Sequence, residues 1–294
     1  MLTTERTDSV WSVIATRDTT GDGASDTVRR SGPVRRPLPL WYSIALGALL
    51  VGATLYGLLA TYAYRVADDV AAQGRGQDLL TLLVVPVLIW AASAAHRGSF
   101  RAHLLWLGLL AYVTYTYASY AFGVPFNDAF LLYVAALGLA SFGLVIGLVR
   151  IDVAHVAPAF SATPRRSAAW LLFVSGGAFA VLWLSDIVGA LPGGLPESRM
   201  AYDLPNPIHV LDLAWLIPVA ILTGVLLLRS GPAGPVLAAV LLVKLLTLSV
   251  AILFMAGFMA AGGEAIDVGM VGVFGVLGVV VAILLGVGAT KMDP

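Results

Sequence analysis

Three charged residues stand inside runs that are otherwise apolar: Asp186, Asp212 and Lys244. Lys244 interrupts VLAAVLLVKLLTLSVAILF, and Asp212 lies in HVLDLAWLIPVAILTGVLLL. A charge held at mid-bilayer costs about 2.5–3.5 kcal/mol, so each such residue marks a functional site by default. A lysine and two carboxylates at similar depth form a cluster that can gain or lose a proton, the chemistry of proton-coupled carriers. At a rise of 1.5 Å per residue Lys244 lies ~15 Å from the inner end of its span, and Asp186 and Asp212 lie ~7 Å below the outer surface. The remaining vertical gap, roughly 8 Å, is within reach of a lysine stem and one water.

Other polar groups fall at the same depth or slightly higher: Asp78, Asn127, Asp128, His209, Glu264 and Asp267. The stretch YVTYTYASY sends Tyr112, Tyr115, Tyr117 and Tyr120 towards the outer face. The candidate pocket is therefore Asp186, Asp212, Lys244, His209, Tyr112, Tyr115, Asp78 and Asn127. Each also has a plainer reading. Asp212 and Lys244 can be an internal ion pair that fixes helix packing. Tyrosines near an interface anchor headgroups, and Asp78 and Asp128 can cap helices that open there.

The elements that must position these residues are membrane helices. Of 294 residues, 59% are hydrophobic and 12% charged, with 17 basic and 17 acidic side chains; a soluble domain carries about 25% charged residues. The balanced charge offers no footprint for nucleic acid. The chain has no cysteine, which excludes disulfides, thiolate metal sites and cysteine nucleophiles.

Eight stretches reach the ~20 apolar residues that a bilayer demands: 41–63, 79–95, 103–122, 128–148, 168–190, 207–228, 234–257 and 267–289. They lack the two-residue alternation of membrane strands, so the expected fold is an all-α polytopic membrane bundle. Residues 1–38 are polar and Gly/Asp/Thr-rich, and read as a disordered cytoplasmic tail ahead of a transmembrane domain over 39–294. The first apolar run comes too late and is too long for a cleaved signal peptide, so it reads as a retained anchor. With the tail inside, thirteen basic residues lie on the cytoplasmic side and three, Arg65, Arg75 and Arg199, on the other. The excess of positive charge predicts a plasma-membrane protein with both termini in the cytoplasm.

A weak internal echo is present. Pro86 and Pro218 are 132 residues apart, as are Arg97 and Arg229, while Asp78 and Asp212 are 134 apart. This predicts two parallel four-helix repeats about an axis along the membrane normal. In the 132-residue register Tyr112 falls opposite Lys244.

The block GQDLLTLLVVPVLIWAASAAHRGS, continued by LGLLAYVTYTYASYAFGVPFNDAFLLYVAALGL, resembles a group of uncharacterised bacterial and archaeal multi-span membrane proteins. The likeness covers helices 2–4 and is carried by QD, RGS and FND-x-FLLY; no function comes with it. Lys244 near a carboxylate is similar to the pairing in retinal proteins, but eight spans and a third span without a carboxylate set this chain apart.

No phosphate-binding loop, nucleophile elbow, zinc-hydrolase helix or dinucleotide fingerprint occurs. His96, His103 and His155 gather at the cytoplasmic side with Asp152, in a spacing that fits no metal-ligand pattern, so no metal or cofactor is expected. The leading expectation is a transporter or permease with an outward-facing polar pocket, taking a small solute or a proton. The alternative is an accessory or assembly subunit of a membrane complex that does not transport. A third is a membrane enzyme acting on lipid or quinone. The loop LPGGLPESRMAYDLPNP is either a lid over the pocket or a plain connection.

Overall fold

The computed structural model describes residues 34, 37–61, 63–199 and 204–292, so the expected tail over 1–38 lies almost wholly outside the described residues. A long helix forms at each of the eight predicted places. These are α1 (Leu40–Leu59), α2 (Asp68–His96), α3 (Phe100–Gly123), α4 (Phe130–Val149), α5 (Arg165–Ala190), α6 (Pro207–Leu228), α7 (Gly234–Ala261) and α8 (Val268–Lys291). A short helical turn at Val153–Val156 and a 3₁₀ turn at Ala157–Phe160 link α4 to α5. One end of the bundle carries Arg97, Arg150, Arg165 and Arg229 and is called the basic end; the other carries Asp68, Glu197 and Asp267 and is called the acidic end.

Seven of these helices are long and apolar enough to cross a membrane; α3 is the exception. Its tyrosines, threonines and histidine lower its hydropathy, yet it is among the most buried helices of the chain, with α2, α4, α6 and α7 packed around it. A helix screened from lipid by its neighbours needs no continuous apolar face. The central pair is α3 and α7, and 61% of the most apolar stretch of α7 is buried. The corresponding share is 11% in α5 and 17% in α8, which stand at the periphery.

Helix α2 starts eleven residues before the expected position. Its first turns, DDVAAQGRGQ, are too polar to be read as a span, but packing holds them. Ala71, Ala72, Gly76, Gln77 and Asp78 are buried, and a Cβ at Gly76 would come within 2.6 Å of the Met255 backbone in α7. Asp68 and Asp69 in the first turn suit the positive helix end. Asp78 is thus well inside a helix and not a cap. Nor does Asp128 cap α4: the turn before it is closed by Asn127, whose Oδ1 accepts from Ala129 N at 3.0 Å.

Helix α6 is not regular. Asn206 caps it, accepting from Ile208 N at 2.9 Å, and Pro207 takes the first position, where no N–H is needed. Residues Asp212–Leu216 then form a π-turn, in which the Ile217 N–H reaches back five residues to the Asp212 carbonyl. Pro218 follows at once and cannot donate to the ladder. Such one-turn bulges are common at functional sites.

Consecutive helices pack on one another within each set of four. In the first half α1 lies on α2, α2 on α3 and α3 on α4; in the second α5 lies on α6, α6 on α7 and α7 on α8. Between the halves α3 meets α7, while α2 packs on α7 and α6 on α3. α1 packs along α4, but α5 and α8 are not packed along each other in the same way; the Phe179 and Phe274 rings stand 5.8 Å apart. The second half is splayed where the first is closed, and a cavity occupies the gap.

Candidate functional site

The cavity has a volume of about 480 Å³ and is walled by α2, α3, α5, α6, α7 and α8. Its lining runs from Lys244, Tyr112 and Tyr115 at mid-depth to Asn206, Ile266 and Asp267 at the acidic end. A pocket of 300–1,000 Å³ that is mostly apolar with a few convergent polar groups is the usual form of a small-molecule site.

Asp212 is 2% exposed, and both its oxygens are occupied. Tyr115 of α3 donates its hydroxyl to Oδ1 at 2.8 Å, and Trp183 of α5 donates its indole N–H to Oδ2 at 2.8 Å. Lys244 of α7 is 3% exposed and places Nζ 3.8 Å from the centroid of the Tyr115 ring. Neither an ion pair within 4.0 Å nor a hydrogen bond to this ammonium occurs among the described residues. The sequence suggests a lysine stem and a water between the two charges; the structure interposes Tyr115, whose ring takes the cation while its hydroxyl serves the anion. A cation over a desolvated ring is worth about 2 kcal/mol.

Tyr112, one turn below Tyr115, is tied to α2. Gln77 donates its amide N–H to the Tyr112 hydroxyl at 2.5 Å and to Thr116 at 3.3 Å, and Thr81 lies 2.7 Å from the same hydroxyl. Tyr112 and Lys244, opposite each other in the repeat register, line the same cavity.

His209 and Asp186 stand apart from this cavity. The His209 ring lies 4.5 Å from that of Trp183, and its Nε2 is 3.2 Å from the Ser198 hydroxyl. That hydroxyl donates to Asp186, whose carboxylate also accepts from Glu197 N at 2.9 Å. Asp186 therefore anchors the loop between α5 and α6 and does not reach Lys244. Although Ser, His and Asp are in line here, serine is the middle member. Activation of a serine nucleophile needs histidine in the middle, so this arrangement does not prepare one.

Asp78 forms a second buried carboxylate with a separate set of partners. Tyr64 donates to one oxygen at 2.5 Å and Tyr120 to the other at 3.3 Å. A Cβ on Gly57 would stand 1.8 Å from Asp78 Oδ2, so only glycine lets α1 come this close. Asn127 donates to the Ala63 carbonyl at 2.8 Å and to Tyr133 at 3.2 Å, tying the loop after α1 to the start of α4. Both are packing devices of the first half and are not in the cavity wall.

Of the predicted residues, the fold thus gathers Asp212, Lys244, Tyr115 and Tyr112 in the cavity. Trp183 and Gln77 are added to them, and neither was expected from sequence. A tryptophan seven residues inside the end of a span, below the interfacial belt, is the one signal that pointed to Trp183.

At the basic end His103 is buried, with Nε2 3.3 Å from the Gly147 carbonyl and its ring stacked on Trp106. No group of three metal-ligating side chains occurs among the described residues. A second cavity of about 470 Å³ opens between the helices there, almost wholly apolar, with Arg101 and Arg165 in its lining. Its α7 lining ends at Val243, the residue next to Lys244. Between the cavities α3 and α7 touch closely: a Cβ on Gly108 would lie 2.3 Å from Val243 Cβ.

Set against known proteins, no family model matches the chain, and neither a curated protein nor a solved structure does. The chain is an all-α, multi-span membrane bundle, and its site has to be read from its own geometry.

Proposed function

We propose that this protein is a plasma-membrane carrier, oriented with both termini in the cytoplasm, whose transport site is the cavity floored by Lys244 and Asp212. The observation that carries this reading is the pair of buried, opposite charges on the wall of a cavity that reaches the acidic end. A second cavity rising from the basic end stops one residue away on α7 and supports it. Two chambers on either side of a thin layer of packed side chains suit alternating access, in which one half rocks against the other around a fixed site. The basic end, rich in arginine, is the cytoplasmic one by the positive-inside rule.

In this reading Asp212 and Lys244 act as one unit through Tyr115. Protonation of Asp212 removes the negative charge that holds Lys244 over the tyrosine ring. The ammonium then swings towards solute, and the contact of α3 with α7 at Gly108 and Val243 is free to loosen. Reconstituted protein in liposomes tests the proposal: proton flux and solute uptake should fall sharply in Asp212→Asn and in Lys244→Met. Unchanged flux and uptake in both variants overturn it.

One observation favours a second reading, a non-transporting accessory subunit. Both oxygens of Asp212 are taken by α3 and α5, as in a packing device. Under that reading the same two variants lose their fold and not a transport activity.

A further inference from the structure

The two charges in the cavity are not equivalent, and their difference points to what the cavity takes. Asp212 accepts two hydrogen bonds and presents no unmet oxygen to the open space. Lys244 has three donors and makes no hydrogen bond among the described residues; it lies over the Tyr115 ring and interacts with the Asp212 charge only at a distance. A buried ammonium with unmet donors is costly until an acceptor arrives, and the best acceptor in a low-dielectric site is an anion. Tyr112 cannot substitute, because its hydroxyl is already engaged by Gln77 and Thr81. Above Lys244 the walls given by α5, α7 and α8 are apolar and aromatic, with Phe179, Leu248, Ile252, Met255 and Phe274, while Gln73, Ser119, Asn206 and Asp267 add polar groups elsewhere in the lining.

We infer that the cavity binds an amphipathic organic anion, a carboxylate with an apolar or aromatic body, with its head on Lys244 and its body against Phe179 and Phe274. This deepens the carrier reading, and rests on it only in taking this cavity as the transport site. The body is held by area burial and ring contacts, which do not depend on its charge. The head is held by charge-assisted hydrogen bonds, which do.

Three probes of one shape separate these contributions: 3-phenylpropionate, 3-phenylpropanamide and 3-phenylpropylamine, titrated calorimetrically into the full-length protein in lipid nanodiscs. The carboxylate should bind at least ~10-fold more tightly than the amide, the amine no more tightly than the amide. Lys244→Met should bring the carboxylate down to the level of the amide and leave the amide unchanged, whereas Lys244→Arg keeps the preference. Phe274→Ala should weaken carboxylate and amide by the same factor. Equal binding of carboxylate and amide, tightest binding by the amine, or no binding of the carboxylate overturns the inference. The comparison in the unmodified protein decides even where Lys244→Met does not fold. Binding of the carboxylate without uptake into liposomes removes the carrier reading and leaves the anion site standing. Uptake of the amine alone does the reverse.

Discussion

At the scale of residues, the site is organised around two side chains that each serve two masters. Tyr115 offers its ring to Lys244 and its hydroxyl to Asp212. Trp183 gives its N–H to Asp212 and packs its ring, tilted, against that of His209. Two buried charges are held without an ion pair between them, a weaker tie than a salt bridge and one more easily changed by a ligand or a proton. A double-mutant cycle checks the geometry. Trp183→Phe deletes one donor to a buried carboxylate and should cost about 1–3 kcal/mol of unfolding free energy. In the Asp212→Asn background the same substitution should cost less, giving a coupling of about 1 kcal/mol or more. Additive losses in chemical denaturation would show that the indole does not serve the carboxylate.

At the scale of elements, glycines set how close the helices come, and they do so at specific contacts. Gly57 admits Asp78, Gly76 meets the α7 backbone, and Gly108 meets Val243. Small residues at such contacts are how membrane helices, with no hydrophobic drive between them, gain packing energy. Gly108→Val should therefore force α3 from α7, lowering stability by about 1–3 kcal/mol or more and opening a path between the two cavities. Gly138→Ala, where a Cβ meets nothing within 4 Å, should be neutral. Thermal melts in detergent, with liposome leakage of a small dye, read both outcomes. Equal melting of the two variants would show that the α3–α7 contact is not tight. Element boundaries also show where hydropathy alone falls short. The first turns of α2 are polar and read as a loop, and α3 is the least lipid-like helix while being central. In both, contacts with other helices replace the apolar face that a lipid-exposed helix must carry.

At the scale of the whole molecule, the halves share a pattern of neighbours but not a degree of closure. The first half buries its carboxylate, Asp78, beneath Tyr64 and Tyr120 and is sealed; the second holds Asp212 at the edge of a cavity. The cavity proposed as the transport site accordingly lies between α2 and α3 of the first half and the splayed helices of the second. Orientation is testable directly because the chain has no cysteine. A membrane-impermeant maleimide should label Leu195→Cys, exposed at the acidic end, in intact cells. Ser161→Cys, exposed at the basic end, should be labelled only after permeabilisation. The opposite result would invert the proposed topology.

Depth is what the sequence determined by itself. Hydropathy and the cost of burying a charge are summed residue by residue along a helix, so the all-α bundle, the eight helical segments and the three charges inside them are legible without neighbours. Which helix face meets which partner is not a property of any one segment. Only the tertiary structure turned Asp186 to the loop at Ser198, placed Tyr115 between Lys244 and Asp212, and brought Trp183 across from α5. It also left α5 and α8 apart, so that Lys244, a charge any reader of the sequence would find, borders a cavity with Tyr115 between it and Asp212 in place of a direct ion pair.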